Sequence, residues 1–320
     1  MNFRQNALSK NIKLSQIAPD VEHFSPFFLS EYLKSRSTTW AYYLTSTGWL
    51  FPLLLYKKFG IGWAQLTSYP IHVEKDYSLK PSQDDYDALL ELRTEIDFFL
   101  YPTANAISDF TPQGAEIMPF GTYVSDLSHS QEELFSSLHS KHRNVIRKAE
   151  KSGVTISTGA QYADDFFSLL EQTYARTNTD HVTKNEFMAL VSNLGEHLSV
   201  TVAFDDAEVI QGGAVFLWSP EGCYYLYGAS IERPTTGAIN YLHWNQMLKM
   251  RGYGVAKYDL MGARPSPEKG SKIEGIQRFK SRFGGDFVAG NLWQTTFSPN
   301  KRKLHGLLVR ARNHYRKLRG

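Results

Sequence analysis

Cysteine is almost absent: Cys223 is the only one in 320 residues. A disulfide within the chain is therefore impossible, and so is a cysteine-rich metal site. Cys223 itself reads as a small buried strand residue. Long apolar runs are missing too. The longest, from Trp49 to Tyr56, is interrupted by Pro52 and is far shorter than the ~20 residues a spanning helix needs. The opening MNFRQNALSKNIK lacks the apolar stretch of a signal peptide, so the cytoplasm is the expected compartment. There is no GxxxxGK[ST] loop, no GxGxxG after a strand, no HExxH and no GxSxG. His139 and His142 stand three residues apart without a third ligand, so no metal is expected there. The neighbouring pairs Asp164-Asp165 and Asp205-Asp206 point in diverging directions. They suit helix capping and turns better than an acid/base dyad.

Aromatic side chains are plentiful, with 18 Tyr and 20 Phe, which suits large cores or an aromatic cleft. The length suits two domains. Net charge is only +3 but is unevenly spread. Residues 301–320 carry eight cations and no acid, Lys301, Arg302, Lys303, Arg310, Arg312, Arg316, Lys317 and Arg319, which leaves the rest of the chain at −5. Such a tail fits nucleic acid, anionic lipid or a phosphorylated substrate. A plainer reading is a solvated helix face with Leu304, Leu307, Leu308 and Val309 packed inward.

Apolar periodicity divides the second half into strands and helices. Strands are expected at 154–157, 198–204, 209–218, 223–229, 256–260 and 287–297, and helices at 161–176, 184–194, 237–251 and 272–282. The first half gives a weaker echo: helix 24–33, strands 40–44, 49–56 and 62–68, helix 82–93, strand 96–101, a short helix 103–109 and strand 116–124. Between them, Ser130 and Glu133 form a capping-box pattern ahead of a basic amphipathic helix over 130–152. The expected domains are 1–128 and 129–298, with 299–320 a basic helix packing back on the first. The fold class is α/β with a mixed sheet.

Chemistry points to Tyr224–Gly285. Gly228 and Gly262 each follow a strand, where a missing side chain allows close backbone approach. Gly237 opens a helix whose free N–H groups could hold an anion. Lys280 sits between Phe279 and Ser281, just before Arg282 and Gly284-Gly285. The same residues also fit ordinary α/β punctuation, with glycines at turns and a surface lysine.

The strand–strand–strand–helix–strand order resembles the GNAT acyltransferase fold. Five segments resemble the Fem family of peptidoglycan-bridge aminoacyltransferases: LHSKHRNVIRKAEKSGVTI, the Gly213–Ser230 strands ending in YYLYGAS, INYLHWNQMLKMRGYG, YDLMG and GIQRFKSRFGG. Fem proteins are two GNAT-like domains side by side, and with no long heptad region this chain is similar to the short form without a coiled-coil arm. The resemblance implies that Lys280 and Phe279 are catalytic, with Lys280 near the substrate phosphates and the reacting acyl group. It implies substrate contacts at Tyr225, Tyr227, Arg176, Arg282 and Gly237, and donor contacts at Lys141, Arg143, Arg147 and Arg233. Acyl-CoA enzymes of the GNAT fold carry [RQ]xxGx[GA] before the crossover helix. The corresponding Arg233-Pro-Thr-Thr-Gly237-Ala238 departs from that spacing, which favours a donor other than CoA.

The expected activity is transfer of an aminoacyl group from aminoacyl-tRNA to an amine of a nucleotide- or lipid-linked peptidoglycan precursor, by a monomer with no permanently bound cofactor. One alternative is an acyl-CoA-dependent enzyme acting on an amino sugar of an envelope polysaccharide. Another is a non-enzymatic RNA- or membrane-surface-binding protein using the basic helix and tail; peripheral contact with the inner membrane face is a further expectation.

Overall fold

The computed structural model describes residues 14–15, 25–74, 79–177 and 182–319, with side chains to 312. The strands are β1 (Leu14–Ser15), β2 (Trp40–Leu44), β3 (Trp49–Lys58), β4 (Ile61–Leu66), β5 (Ile71–His72), β6 (Phe98–Phe99), β7 (Glu116–Asp126), β8 (Thr155–Thr158), β9 (Leu198–Phe204), β10 (Ile210–Ser219), β11 (Gly222–Ser230), β12 (Lys257–Asp259) and β13 (Asp286–Thr296). The helices are α1 (Ser30–Arg36), α2 (Gln83–Asp87), α3 (Gln131–Ser137), α4 (Ser140–Lys151), α5 (Ala163–Thr177), α6 (Lys184–Leu194), α7 (Ala238–Gly252), α8 (Lys272–Ser281) and α9 (Pro299–Arg319). Contacts group them into two compact units. The first takes the described residues of 1–20, 37–120 and 290–320, and the second those of 21–36 and 121–289.

In the first unit the strand order is β1-β2-β3-β4-β6-β13, with β5 also pairing β3. Every pair in it is antiparallel except β4 with β6. Pro52 lies inside β3, which would normally cost a ladder hydrogen bond. It stands where β3 leaves β5, paired at Trp49 and Leu50, and joins β4, paired from Leu53 onward. Its missing N–H falls at that change of partner. Phe51, Leu53, Tyr86, Leu89, Leu92, Phe99 and Trp293 fill the core. Asp85, only 3% exposed, ties α2 to the β2–β3 turn. It accepts from the Ser82 N–H at 2.7 Å and from the Ser82, Thr45 and Thr47 hydroxyls. Burial pushes its carboxyl up, but these hydrogen bonds outweigh burial and hold it below the ordinary carboxylate value.

The second unit has the order β7-β12-β11-β10-β9-β8, antiparallel except for β11 with β12. One face packs on α3, α4 and α7 through Leu134, Ile146, Leu242, Met247 and Phe283. The other packs on α5 and α6 through Phe166, Leu170, Phe187 and Val215. α1 packs against α6 in this unit. The helices at 184–194 and the strand at 198–204 match their expected bounds.

Four expectations are corrected. No helix forms at 103–109, because the Thr103 and Asn105 side chains donate to the Thr67 carbonyl, at 2.7 Å each, and compete with helix formation. The strand expected over 96–101 shrinks to Phe98–Phe99. The basic helix over 130–152 is two helices, α3 and α4, broken at Leu138 and His139, whose ψ values are 141° and 140°. The His139 ring caps α4 by accepting from the Lys141 N–H at 3.1 Å, and Arg143 donates to the Ser136 and Leu138 carbonyls at the end of α3. Last, Leu304, Leu307 and Leu308 face outward from α9, not inward.

Asp85→Ala should lower stability by roughly 2–4 kcal/mol at neutral pH in urea unfolding, since it strips partners from several buried or part-buried donors. Because the folded-state pKa of Asp85 is depressed, the difference from wild type should shrink as pH falls below about 4.

Candidate active site

The parallel strands β11 and β12 pair only at Cys223 with Tyr258 and Tyr224 with Asp259. β12 then ends, while β11 runs on to Ser230. Where they part, the chain turns through two successive left-handed residues, Met261 at φ 47° and Gly262 at φ 55°. The turn is held from both sides. The Asp259 carboxylate accepts from the Met261 N–H at 2.7 Å and from the Thr122 hydroxyl. The Lys280 ammonium, reaching in from α8, donates to the Met261 carbonyl and, at 2.9 Å, to the Gly262 carbonyl. Two of its three N–H groups are thereby used.

Burial lowers the Lys280 pKa to about 8, although Asp259 opposes the shift. Burial likewise raises Asp259, with the Thr122 and Met261 hydrogen bonds and the Lys257 and Lys280 charges pulling the other way. Each group loses more to desolvation than the other returns. Lys280 nevertheless keeps part of its surface exposed.

An aromatic wall stands beside this cation. The Tyr225 ring centroid lies 6.0 Å from Lys280 Nζ. Its hydroxyl folds over Gly228, where a Cβ would collide with it. Gly228 is thus inside β11, not after it, and its lack of a side chain makes room for the phenol. The His243 ring meets Tyr225 edge-on at 4.6 Å and shares a 2.7 Å hydrogen bond with the Tyr258 hydroxyl through Nδ1. Phe279 and Phe283 pack against both His243 and His142. Burial lowers His243 to about 3 and His142 to about 4, so both imidazoles are neutral at physiological pH. Among the described residues, His243 Nε2 and His142 Nδ1 are buried without hydrogen-bond partners.

The residues singled out from sequence scatter into three groups. Lys280, Phe279 and Tyr225 come together, and Arg282 caps α8 next to them while its carbonyl accepts from the His139 N–H at 3.0 Å. Tyr227 lies on the opposite face of the sheet, against Phe187. A bulge between the Val215–Tyr227 and Phe216–Tyr225 pairs separates the two tyrosines. Arg176 braces the end of β11, donating to the Ser230 carbonyl at 2.7 Å. The third group surrounds the start of α7. Gly237 adopts φ 86°, and a Cβ there would collide with the Val145 carbonyl of α4. Two N–H groups at this turn are engaged: Thr235 donates to Gln211 at 2.8 Å and Ala238 to the Thr235 carbonyl at 2.9 Å. Arg233 is exposed. On α4, Lys141 and Arg147 are exposed and Arg143 half-buried. Arg143 and Arg147 line a groove of about 550 Å³ with Phe135, Tyr241 and Trp244, and the Arg147 guanidinium sits 5.0 Å above the Phe135 ring.

His243, Tyr258 and Thr122 escaped sequence reasoning. A histidine on the buried face of a helix was the one available signal, since Thr122 lies 137 residues from its partner Asp259. Among the described residues no cluster of three His, Cys, Asp or Glu could hold a metal, and no helix is long and apolar enough to cross a membrane.

Residues 136–281, from α3 through Lys280, match the acetyltransferase (GNAT) domain family model. Over that stretch the chain is similar to GNAT acyltransferase domains. No curated protein matches the sequence. Solved structures do match. FemX superposes with a TM-score of 0.63 at 14% identity, covering 90% of this chain and 94% of that one. The C-terminal domain of a putative lysylphosphatidylglycerol synthetase from Agrobacterium fabrum gives 0.53 at 12% identity, covering 84% and 87%. A tandem GNAT protein from the clavulanic acid biosynthesis pathway gives 0.50 at 12% identity, covering 85% and 89%. At these identities the likeness is one of fold: mixed α/β and tandem GNAT-like.

The geometry at the start of α7 makes a prediction. Gly237→Ala should cost the protein at least ~2 kcal/mol, through both the left-handed backbone and the Val145 carbonyl. Arg233→Ala, four residues away on the surface, should stay within about 0.5 kcal/mol of wild type in the same urea titration.

Proposed function

We propose that this protein is an N-acyltransferase that moves an aminoacyl group from aminoacyl-tRNA to an amine of a nucleotide- or lipid-linked peptidoglycan precursor. The main support is the Lys280 ammonium at the parting of β11 and β12, held by two carbonyls and left with one N–H to give. In acyl transfer the unprotonated amine attacks the ester carbonyl, and the carbonyl oxygen gains negative charge. The tetrahedral intermediate collapses to an amide, expelling the ribose oxygen, which takes up a proton while the attacking nitrogen loses one. A prepositioned cation in a water-poor site stabilises that oxyanion strongly. No nucleophilic side chain is needed, and Cys223 is unsuited to the task, being fully buried with its thiol raised by burial. His142 and His243, neutral and packed among aromatics, shape the wall of the site. Holding two large substrates in register supplies much of the remaining rate.

The donor assignment is supported by two features. A CoA pyrophosphate would require free N–H groups in the loop before α7, but those of Thr235 and Ala238 are engaged and the Val145 carbonyl crowds Gly237. α4 meanwhile carries exposed Lys141, Lys148 and Lys151, and its Arg143 and Arg147 line the groove with Phe135, Tyr241 and Trp244, where Glu132 and Glu150 also stand. Cations alongside aromatic rings suit a single-stranded RNA end, whose phosphates are neutralised and whose bases stack.

Incubation with labelled aminoacyl-tRNA or acetyl-CoA and a pool of envelope precursors distinguishes the donors. Transfer from acetyl-CoA alone would overturn the tRNA reading. Lys280→Ala should reduce kcat/KM by ~10²-fold or more in the molecules that remain folded, since the same side chain also closes the Met261-Gly262 turn. In wild type, kcat/KM should fall as pH rises through about 8, where Lys280 loses its proton, and Lys280→Arg should move that limb upward. Combined Arg147→Ala and Lys151→Ala should raise the KM for tRNA and flatten its salt dependence by about 1–2 in slope, leaving kcat near wild type.

A further inference from the structure

α9 is amphipathic in an unusual sense: polar side chains, Arg302 and His305, help anchor it while its outward face carries leucines. Arg302, His305, Gly306 and Val309, spaced i, i+3, i+4 and i+7, are all part-buried. The His305 ring lies 4.6 Å from Trp63 and 5.1 Å from Phe98. Arg302 stacks 4.7 Å above Phe98 and donates to Gln294 at 3.1 Å. These contacts fix the rotation of the helix on β4 and β6. They leave Leu304, Leu307 and Leu308, with exposed Ala311, as a continuous stripe facing out. The leucines are 47%, 61% and 38% exposed. By helical spacing, Lys303 and Arg310 border the stripe on one side, and Lys301 and Arg312 on the other. Lys301 is paired with Asp97 at 2.9 Å, while Lys303, Arg310 and Arg312 are exposed. The helix contains no acid.

A second feature of the same unit is of the same kind. At the β3–β4 hairpin tip Phe59 is 72% exposed and held at φ 52°, with the Lys58 ammonium 5.3 Å from its ring. The two-residue turn Phe59-Gly60 accounts for the left-handed backbone, with φ 52° and 73°, but not for an exposed phenylalanine where Asn or Asp is the usual choice. Lys58 beside it repeats the pairing of cation with apolar side chain seen on α9.

We propose that α9 docks this protein on an anionic lipid surface, with its leucine stripe at the level of the headgroups and acyl boundary and its flanking cations on the phosphates. This goes beyond the acyl-transfer reading and does not depend on which donor is used. Charge decides the occupant. A second copy of α9 would bring Lys303, Arg310 and Arg312 against their own counterparts. RNA would use the cations but has no use for three outward leucines. An apolar stripe flanked by cations is what an interfacial helix presents to anionic lipid.

Flotation of the full-length protein with vesicles of phosphatidylcholine, with or without phosphatidylglycerol, tests the proposal. Binding should require phosphatidylglycerol and weaken with added salt. Leu304→Ser/Leu307→Ser/Leu308→Ser should lower the partition coefficient by at least ~10-fold, and Lys303→Gln/Arg310→Gln/Arg312→Gln by a similar factor. Both variants should keep the wild-type unfolding transition, because all six side chains are exposed. Equal partition to neutral vesicles, or undiminished binding by the leucine variant, would overturn it. So would a wild-type dimer that the leucine variant turns into a monomer, since the stripe would then be a self-association face.

Discussion

The donation of the Lys280 ammonium to the carbonyls of Met261 and Gly262 organises the second unit. A parallel strand that ends after Asp259 must turn away, and the left-handed Met261, unlike the glycine after it, is costly unless the turn's polar groups are satisfied. Asp259 gathers the N–H side of the turn and Lys280 gathers the carbonyl side. Both charges are taken out of water to do so, which is why the pKa of each moves toward its neutral form. The same bond that closes the turn therefore brings a lysine with a pKa of about 8 to the point where β11 and β12 part. Structural and chemical roles coincide in one side chain.

Around that point the polar inventory is small and mostly silent. Tyr225, Tyr258 and Cys223 all have their pKa values raised by burial, and His142 and His243 have theirs lowered. None can change charge near neutral pH. Lys280 is the titrating group in this wall whose range reaches the conditions in which a protein works. A site of this kind acts through position and field more than through proton relay.

Much of the second unit was legible in the sequence because its signals are local. Thr183 and Glu186 cap α6 reciprocally, and β9 alternates cleanly between turn signals. The break at Leu138-His139 was not legible, because the apolar stripe runs straight through it. The break shows only in the carbonyls that Arg143 caps and the N–H that the His139 ring accepts from. The first unit was harder to read, since α2 is one turn long and β6 only two residues, each held by partners distant in the chain. Within the site, FKSRFGG marked Lys280 and YDLMG marked the turn it closes, but nothing local linked them. The outward leucines of α9 were misread because periodicity identifies an apolar stripe without saying which way it faces. Arg302 and His305 decide that, through rings on β4 and β6.

The bulge in β11 reaches further than its size. Alternation along YYLYGAS assigns Tyr225 and Tyr227 to one face. The extra residue, Leu226, sends them to opposite sides of the sheet, one toward Lys280 and the other into the α5–α6 core. The strand therefore carries two identities separated by a single peptide unit. Which aromatic side chain meets the lysine is set by chain length at this point, not by the choice of residue. A family built on this strand can exchange one recognition surface for another by losing or gaining one residue, with every side chain in the segment unchanged.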